Sequence, residues 1–176
     1  DVAEESLNAG ADWINDISGG RHDQNIYNII VKHRCPYVIT HSRGNSQTMN
    51  SLSSYGNVVK EVYLELKEIT KKALDSGIYK EQIIWDPGLG FAKTTEQNIS
   101  IIKNLDIFAS EGYPLMIGPS RKRFIGDLTN EPIEKNRIWG TVAVACRCVE
   151  SKINLIRVHD VEPVFKVVLM AEAMWN

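Results

Sequence analysis

A chain of 176 residues with 43% hydrophobic and 24% charged side chains is long enough to bury a core, and a formal net charge of -2 leaves no basic excess of the kind nucleic acid attracts. No apolar run approaches the length of a bilayer span and no charged-then-apolar leader opens the sequence, so neither membrane nor nucleic acid is an expected partner. The sequence starts on Asp1 instead of methionine, which reads as a fragment of a longer chain.

In chain order, residues 1–8 read as the end of a helix, and residues 11–17 as a strand-like run closing on Ser18, Gly19 and Gly20. A helical pattern over 24–33 leads to a second run at 37–40, which stops at His41. The clearest amphipathic stripe follows. Val58, Val59, Val62, Tyr63, Leu66, Ile69 and Ala73 recur at spacings of three and four, with Glu61, Glu65, Glu68 and Lys72 among the intervening positions, so this helix is expected to pack on a sheet. Strand-like runs at 83–86, 115–118 and 155–158 then alternate with helical patterns at 95–105, 134–150 and 161–175. Such alternation implies parallel strands with right-handed crossovers, and residues 1–176 are read as one domain.

Five strand–helix units fit either a doubly wound sheet or part of an eight-unit barrel. Asn15 and Asp16, His41, Asp86, Ser120 to Lys122, and Arg157 with His159 follow the C-terminal ends of all five runs. A barrel gathers such ends round one mouth, whereas an open sheet focuses ligands at a switch point. The expected class is therefore α/β, part of a (βα)8 TIM-type barrel whose first three units are missing from this chain. Cys35, Cys146 and Cys148 lack the spacing of a disulfide framework or a metal site and read as packing residues in a reducing compartment.

The segment Ile83-Ile84-Trp85-Asp86-Pro87-Gly88-Leu89-Gly90-Phe91-Ala92-Lys93 carries most information. An apolar run stops at a carboxylate and a glycine-rich turn follows, as when a buried parallel strand delivers an acid to the rim of a sheet. A dinucleotide fingerprint would need glycine where Lys93 stands, and a phosphate loop would need it where Ala92 stands, so both fail on spacing. Asp86 suits the adjacent donors of a flat, amidine-like heterocycle; the plainer reading is an aspartate capping its own turn. Gly118-Pro119-Ser120-Arg121-Lys122-Arg123-Phe124 sets three cations directly at a strand end, which favours an anion site over a solvated charge run. Arg157 and His159 alternate onto one side just before a helix N-terminus, where they could hold phosphate or diphosphate, while Asp160 reads as that helix's N-cap. Asn15 is expected to face inward and Asp16 to fix the following turn. His22 and His33 read as surface residues, His41 stays open, and Asn98-Ile99-Ser100 matches a glycosylation pattern by chance.

The motifs Ile14-Asn15-Asp16-Ile17-Ser18-Gly19-Gly20, Asp86-Pro87-Gly88-Leu89-Gly90-Phe91-Ala92-Lys93, Gly118-Pro119-Ser120-Arg121-Lys122-Arg123-Phe124 and Arg157-Val158-His159-Asp160, in this order over nearly the whole chain, closely resemble dihydropteroate synthase of folate biosynthesis. The resemblance implies a barrel enzyme that condenses 6-hydroxymethyl-7,8-dihydropterin diphosphate with 4-aminobenzoate, releasing diphosphate and 7,8-dihydropteroate. Carried over by motif, Asn15, Asp86 and Lys122 bind the pterin, Arg157 and His159 hold the diphosphate, and Ser120, Arg121 and Phe91 line the 4-aminobenzoate side, where sulfonamides bind in this family. Asp86, Lys122, Arg157 and His159 are the expected catalytic set; Lys93 matches the motif without an assigned role. The resemblance also implies magnesium held by the missing front segment and the substrate diphosphate, with no metal ligand in this fragment, which is expected to be inactive alone. A homodimer, fusion to a pterin pyrophosphokinase, and a cytoplasmic location, or a mitochondrial one behind a transit peptide, are further expectations. The alternatives weighed are a pterin-binding methyltransferase, a non-catalytic pterin-binding domain, and a Schiff-base aldolase using Lys122 with its pKa lowered by Arg121 and Arg123.

Overall fold

The computed structural model describes residues 2–44 and 48–175; Asp1, at the start of the expected opening helix, lies outside them. The described elements run α1 (Val2–Asn8), β1 (Ile14–Asp16), α2 (Asn25–His33), β2 (Tyr37–Thr40), α3 (Val58–Asp75), β3 (Ile83–Asp86), α4 (Thr95–Lys103), α5 (Leu105–Ala109), β4 (Met116–Ile117), α6 (Arg123–Thr129), α7 (Ile138–Glu150), β5 (Leu155–Ile156) and α8 (Val161–Trp175). The strand pairs β1·β2, β2·β3 and β4·β5 are all parallel. A parallel bridge between Trp85 and Leu115, with the Trp85 N–H donating to Pro114 O at 2.9 Å, joins the two groups, so spatial order follows chain order. Sequential order without a reversal is the pattern of a barrel wall; a doubly wound sheet needs a switch point.

Pleating sends alternate side chains to opposite faces. Tyr37, Ile39, Ile83, Trp85, Leu115 and Ile117 turn toward the helices and are all 0% exposed. Val38, Ile84 and Met116 form a separate buried cluster with Leu155 packed against it, as the filled interior of a barrel requires. The α3 stripe supplies Val62, Leu66, Ile69 and Ala73 to the helix-side core, each large apolar side chain worth about 1.5–3 kcal/mol when fully buried. Trp85 ties α3 to the sheet: its indole N–H donates to Thr70 Oγ1 at 2.7 Å, and its ring stacks on Tyr113 at 5.2 Å between centroids.

Several boundaries differ from the sequence reading. The helix expected over 95–105 divides at Asn104, whose φ of -117° and ψ of 30° are not helical, and α5 resumes beyond it. The pattern at 134–150 opens as a single 3-10 turn, Glu134–Arg137, before α7. Helix α6 is not among the helical patterns expected from the sequence; its start hides in the cation run, and it ends where Asn130 adopts a left-handed φ of 53°. Glu65 lies on the sheet-facing stripe of α3, half-buried, because it follows Val62 by three positions. His33 is half-buried beside Glu4, 3.9 Å away, instead of lying free on the surface. Cys35 and Cys148 are buried as packing residues and Cys146 is half-buried; burial pushes the Cys148 thiol up to about 12.

Candidate active site

The C-terminal rim of the sheet gathers the polar side chains. Register sets Asn15 beside Val38 and Thr40 beside Asp86, so Asn15, Thr40 and Asp86 share the interior face. The Thr40 hydroxyl donates to Asn15 Oδ1 at 3.2 Å, fixing the amide. Asp16 turns the other way and accepts from the Ser18 and Gly20 N–H groups at 2.7 and 2.6 Å and from the Tyr37 hydroxyl at 3.0 Å, which is the turn-fixing role expected for it.

Asp86 is 3% exposed at the end of β3. Its backbone carbonyl accepts from the His41 N–H at 2.8 Å, continuing the β2·β3 ladder, and its Oδ1 accepts from the Gly88 N–H at 2.7 Å. Burial raises its pKa, opposed by the Gly88 N–H and by the positive charges of Lys122, Arg157 and Lys93. Gly88 makes this geometry possible: at φ +68° its Cα faces the His41 carbonyl so closely that a Cβ would sit 1.8 Å from the oxygen. The capping and the heterocycle readings of Asp86 are thus compatible, since the turn engages one carboxylate oxygen.

Lys122 comes from the loop between β4 and α6. Its stem lies across Gly90, where a Cβ would meet Cδ at 3.0 Å, and its ammonium stands 4.3 Å over the Phe91 ring. Burial lowers its pKa, with Asp86 raising it and Arg157 lowering it further. Arg121 and Arg123, the cause expected from the sequence, play no such part. Arg121 adopts a left-handed φ of 60° and sends its guanidinium to Asp160, with Nη2 to Oδ1 at 2.9 Å and Nε to Oδ2 at 3.3 Å. Asp160 is therefore the ion-pair partner of Arg121 instead of a side-chain cap for α8. The Arg137 guanidinium, which the sequence did not single out, holds this loop by donating to the carbonyls of Arg121, Glu131 and Pro132.

Arg157 lies over Gly118, with Nη2 3.2 Å from where a Cβ would stand. Ser120 is buried and accepts from the His159 N–H at 3.2 Å, with His159 Nδ1 a further 3.0 Å contact of its Oγ. Rim and fold thus bring Asn15, Asp86, Phe91, Lys122 and Arg157 to one mouth, with Ser120 and His159 joined beside it and Arg121 drawn aside by Asp160. A cavity of about 180 Å³ lined by Gly90, Lys93, Thr95, Asn98, Lys122, Arg123 and Phe124 flanks Lys122. Larger hollows include one of about 370 Å³ along β5/α8 and one of about 490 Å³ along α1/β1, the latter lined in part by Asn15. Among the described residues no three His, Cys, Asp or Glu side chains gather as a metal site.

The sequence also missed a buried network behind the rim. The Lys93 ammonium donates to Gly88 O at 3.0 Å, Phe91 O at 2.9 Å and His41 Nδ1 at 2.9 Å, and His41 Nε2 lies 2.9 Å from Glu65 Oε2. Asn98, whose match to a glycosylation pattern reads as chance, is buried and accepts from the Gly90 N–H at 2.7 Å. The readable signal for the network was Glu65, a carboxylate at core-stripe spacing.

These features define a class: a parallel α/β barrel segment whose mouth sets a buried carboxylate against lysine and arginine, fit for an electron-poor heterocycle bearing an anionic group. Comparison with known proteins narrows it. A family described as pterin binding enzyme matches residues 1–159. Dihydropteroate synthase of Synechocystis sp. is 42% identical over 176 residues, covering 100% of this chain and 61% of the relative. Folic acid synthesis protein fol1 of Pneumocystis carinii is 41% identical over 181 residues, covering 100% of this chain and 24% of the relative. The crystal structure of dihydropteroate synthase from Thermus thermophilus in complex with 6HMPPP matches with a TM-score of 0.94 at 34% identity, over 99% of this chain and 69% of that one. The same enzyme in complex with 4-aminobenzoate matches with a TM-score of 0.93. This chain belongs to the pterin-binding enzyme family, and its relatives include dihydropteroate synthases. It spans 61% of the Synechocystis relative's length, and among the described residues no helix is long and apolar enough to cross a membrane.

Proposed function

We propose that residues 1–176 are the greater part of one dihydropteroate synthase barrel, which joins a 6-hydroxymethyl-7,8-dihydropterin diphosphate to 4-aminobenzoate. The observation that carries the reading is the Lys122 ammonium lying over Gly90 and Phe91, with the buried Asp86 carboxylate and the Arg157 guanidinium as its charged surroundings. Asp86 accepts the pterin's adjacent N–H donors through the oxygen that Gly88 does not occupy, Asn15 and Lys122 hold other polar edges, and Arg157 and His159 receive the diphosphate. Ser120 and Phe91 line the 4-aminobenzoate side, with Arg121 at its edge, where its guanidinium is held by Asp160.

The reaction breaks the bond between the pterin methylene carbon and a diphosphate oxygen and forms one between that carbon and the aniline nitrogen, which then loses a proton to solvent. Both electrons of the broken bond leave with diphosphate, so the main demand on the protein is stabilising that anion and the electron-poor pterin left behind. Arg157, His159 and Lys122 answer the first and Asp86 the second. No strong general base is required. Magnesium, if bound, would supply further charge stabilisation to the diphosphate through ligands from outside these residues, and no step here depends on it. Supporting a homodimer, α8 leaves Phe165, Met170 and Trp175 exposed, the last at 47% and so not core. A pterin pyrophosphokinase is the matching fusion partner, and the cytoplasm or the mitochondrion the matching compartment.

The test is turnover: the complete barrel, supplied with the pterin diphosphate, 4-aminobenzoate and magnesium, is expected to release dihydropteroate. Binding of a methylated folate without binding of 4-aminobenzoate would point to the methyltransferase instead, and pterin binding without turnover to a non-catalytic domain.

A further inference from the structure

Lys93 is 6% exposed, an unfavourable place for an ammonium unless its donors are all satisfied. They are satisfied here. Three N–H groups meet three acceptors, Gly88 O, Phe91 O and His41 Nδ1. Ala92, directly before it, takes a left-handed φ of 48°, a conformation L-residues rarely adopt. With Nδ1 accepting, His41 carries its proton on Nε2 and donates to Glu65. Glu65 also accepts from the Arg43 guanidinium, which bonds Glu61 and the Ser54 carbonyl and lies 3.8 Å over the Tyr55 ring. One polar chain thus runs from the turn after β3, past the end of β2, to α3. Two of the Lys93 acceptors belong to the turn that presents Asp86 and Phe91.

We propose that Lys93, anchored through His41, Glu65 and Arg43, is a positioning residue that braces the Gly88–Phe91 turn, keeping the Asp86 carboxylate and the Phe91 ring aimed at a planar heterocycle. The ligand half of this inference rests on the function proposed above; the brace itself does not. Lys93 is faced by Asp86 from β3, Glu65 from α3, His41 and Arg43 from the loop after β2, and Lys122 from the loop after β4. Burial lowers its pKa to about 7, with Asp86 and Glu65 pulling it back upward. Below that pH the ammonium serves all three acceptors; above it, a neutral amine has two N–H groups for three acceptors and one bond is lost. Pterin affinity is therefore expected to decline on the alkaline side.

The experiment compares wild type, Lys93→Met and Glu65→Gln in the complete protein, with 6-hydroxymethylpterin and inorganic diphosphate as separate probes between pH 6 and 9, alongside amide exchange of Gly88, Gly90 and Phe91 without ligand. For Lys93→Met we expect about tenfold weaker pterin binding at pH 6.5, diphosphate binding unchanged within about twofold, and no alkaline decline. Exchange at the three amides should quicken in Lys93→Met and, to a lesser degree, in Glu65→Gln, which leaves the lysine in place and provides the readout should Lys93→Met not fold. Unchanged pterin affinity with unchanged exchange overturns the brace, as does an equal loss of both probes. If wild type binds no pterin, the proposed function fails while the exchange comparison still decides the brace.

Discussion

Asp86→Asn separates a pterin anchor from a turn that merely holds its loop. The carboxylate is buried, one oxygen accepts the Gly88 N–H at 2.7 Å, and the other is the acceptor offered to the heterocycle. An asparagine oxygen can still take the Gly88 bond, so the turn survives, while the amide nitrogen would meet the ligand's N–H groups donor to donor. Losing one charge-assisted bond and leaving its partner unpaired costs about 3 kcal/mol, roughly a hundredfold in Kd. Diphosphate has no bond to lose, and removing a negative charge that Lys122 and Arg157 feel shifts its affinity by less than about threefold, toward tighter binding. The fold should not suffer, because burial already raises the Asp86 pKa and a neutral amide escapes that desolvation. Calorimetric titration of the complete protein with 6-hydroxymethylpterin and with diphosphate reads both numbers, and a thermal midpoint controls for folding. Equal losses for the two ligands would refute the reasoning and return Asp86 to a turn residue.

The complementary change, Arg157→Gln, should weaken diphosphate binding about tenfold or more and leave pterin binding within about twofold, measured by the same titrations. Gly88→Ala should destabilise by about 3 kcal/mol or more, seen as a lower urea midpoint, since its Cβ would collide with the His41 carbonyl at a positive φ; a wild-type midpoint would refute the turn geometry. Acid stability tests the buried network. Burial and the nearby Lys93 lower the His41 pKa to about 4 from 6.5, so between these values the unfolded chain holds a proton that the folded one lacks, and stability falls as pH drops through that window. Glu65 acts in the same direction lower down: against burial, hydrogen bonds from His41 and Arg43 hold it at about 2, so its contribution is present above about pH 4.5 and lost below. His41→Gln should remove up to one proton's slope, about 1.4 kcal/mol per pH unit, from the urea-derived stability between pH 4 and 6.5, and an unaltered slope would count against it.

The strands at 37–40 and 83–86 match their expected bounds because each is a continuous apolar run, buried on both faces, that ends at a polar residue. At 115–118 and 155–158 the paired ladder is shorter than the expected run, covering Met116–Ile117 and Leu155–Ile156. Helix α6 escaped notice because Arg123 continues a cation run and Gly126 interrupts the apolar positions, both of which suggest a loop. In the site, Asp86 and Lys122 were legible from local motifs. The pairing of Arg121 with Asp160 was not, because it follows from one left-handed residue and a partner 39 positions away. Lys93 was equally opaque: two of its acceptors lie within five residues, but the third, His41, is 52 away, and only the packing of β2 beside β3 brings it near.

Gly118 offers a last consequence. Its backbone is not left-handed, so alanine could occupy the position without strain, yet the added carbon would press on Arg157 at 3.2 Å and move the guanidinium by a few tenths of an ångström. Position 118 is thus a trim on the anion grip, set by a residue proposed to touch neither substrate. Homologues could drift in diphosphate affinity through this single atom while every ligand-contacting side chain stays the same.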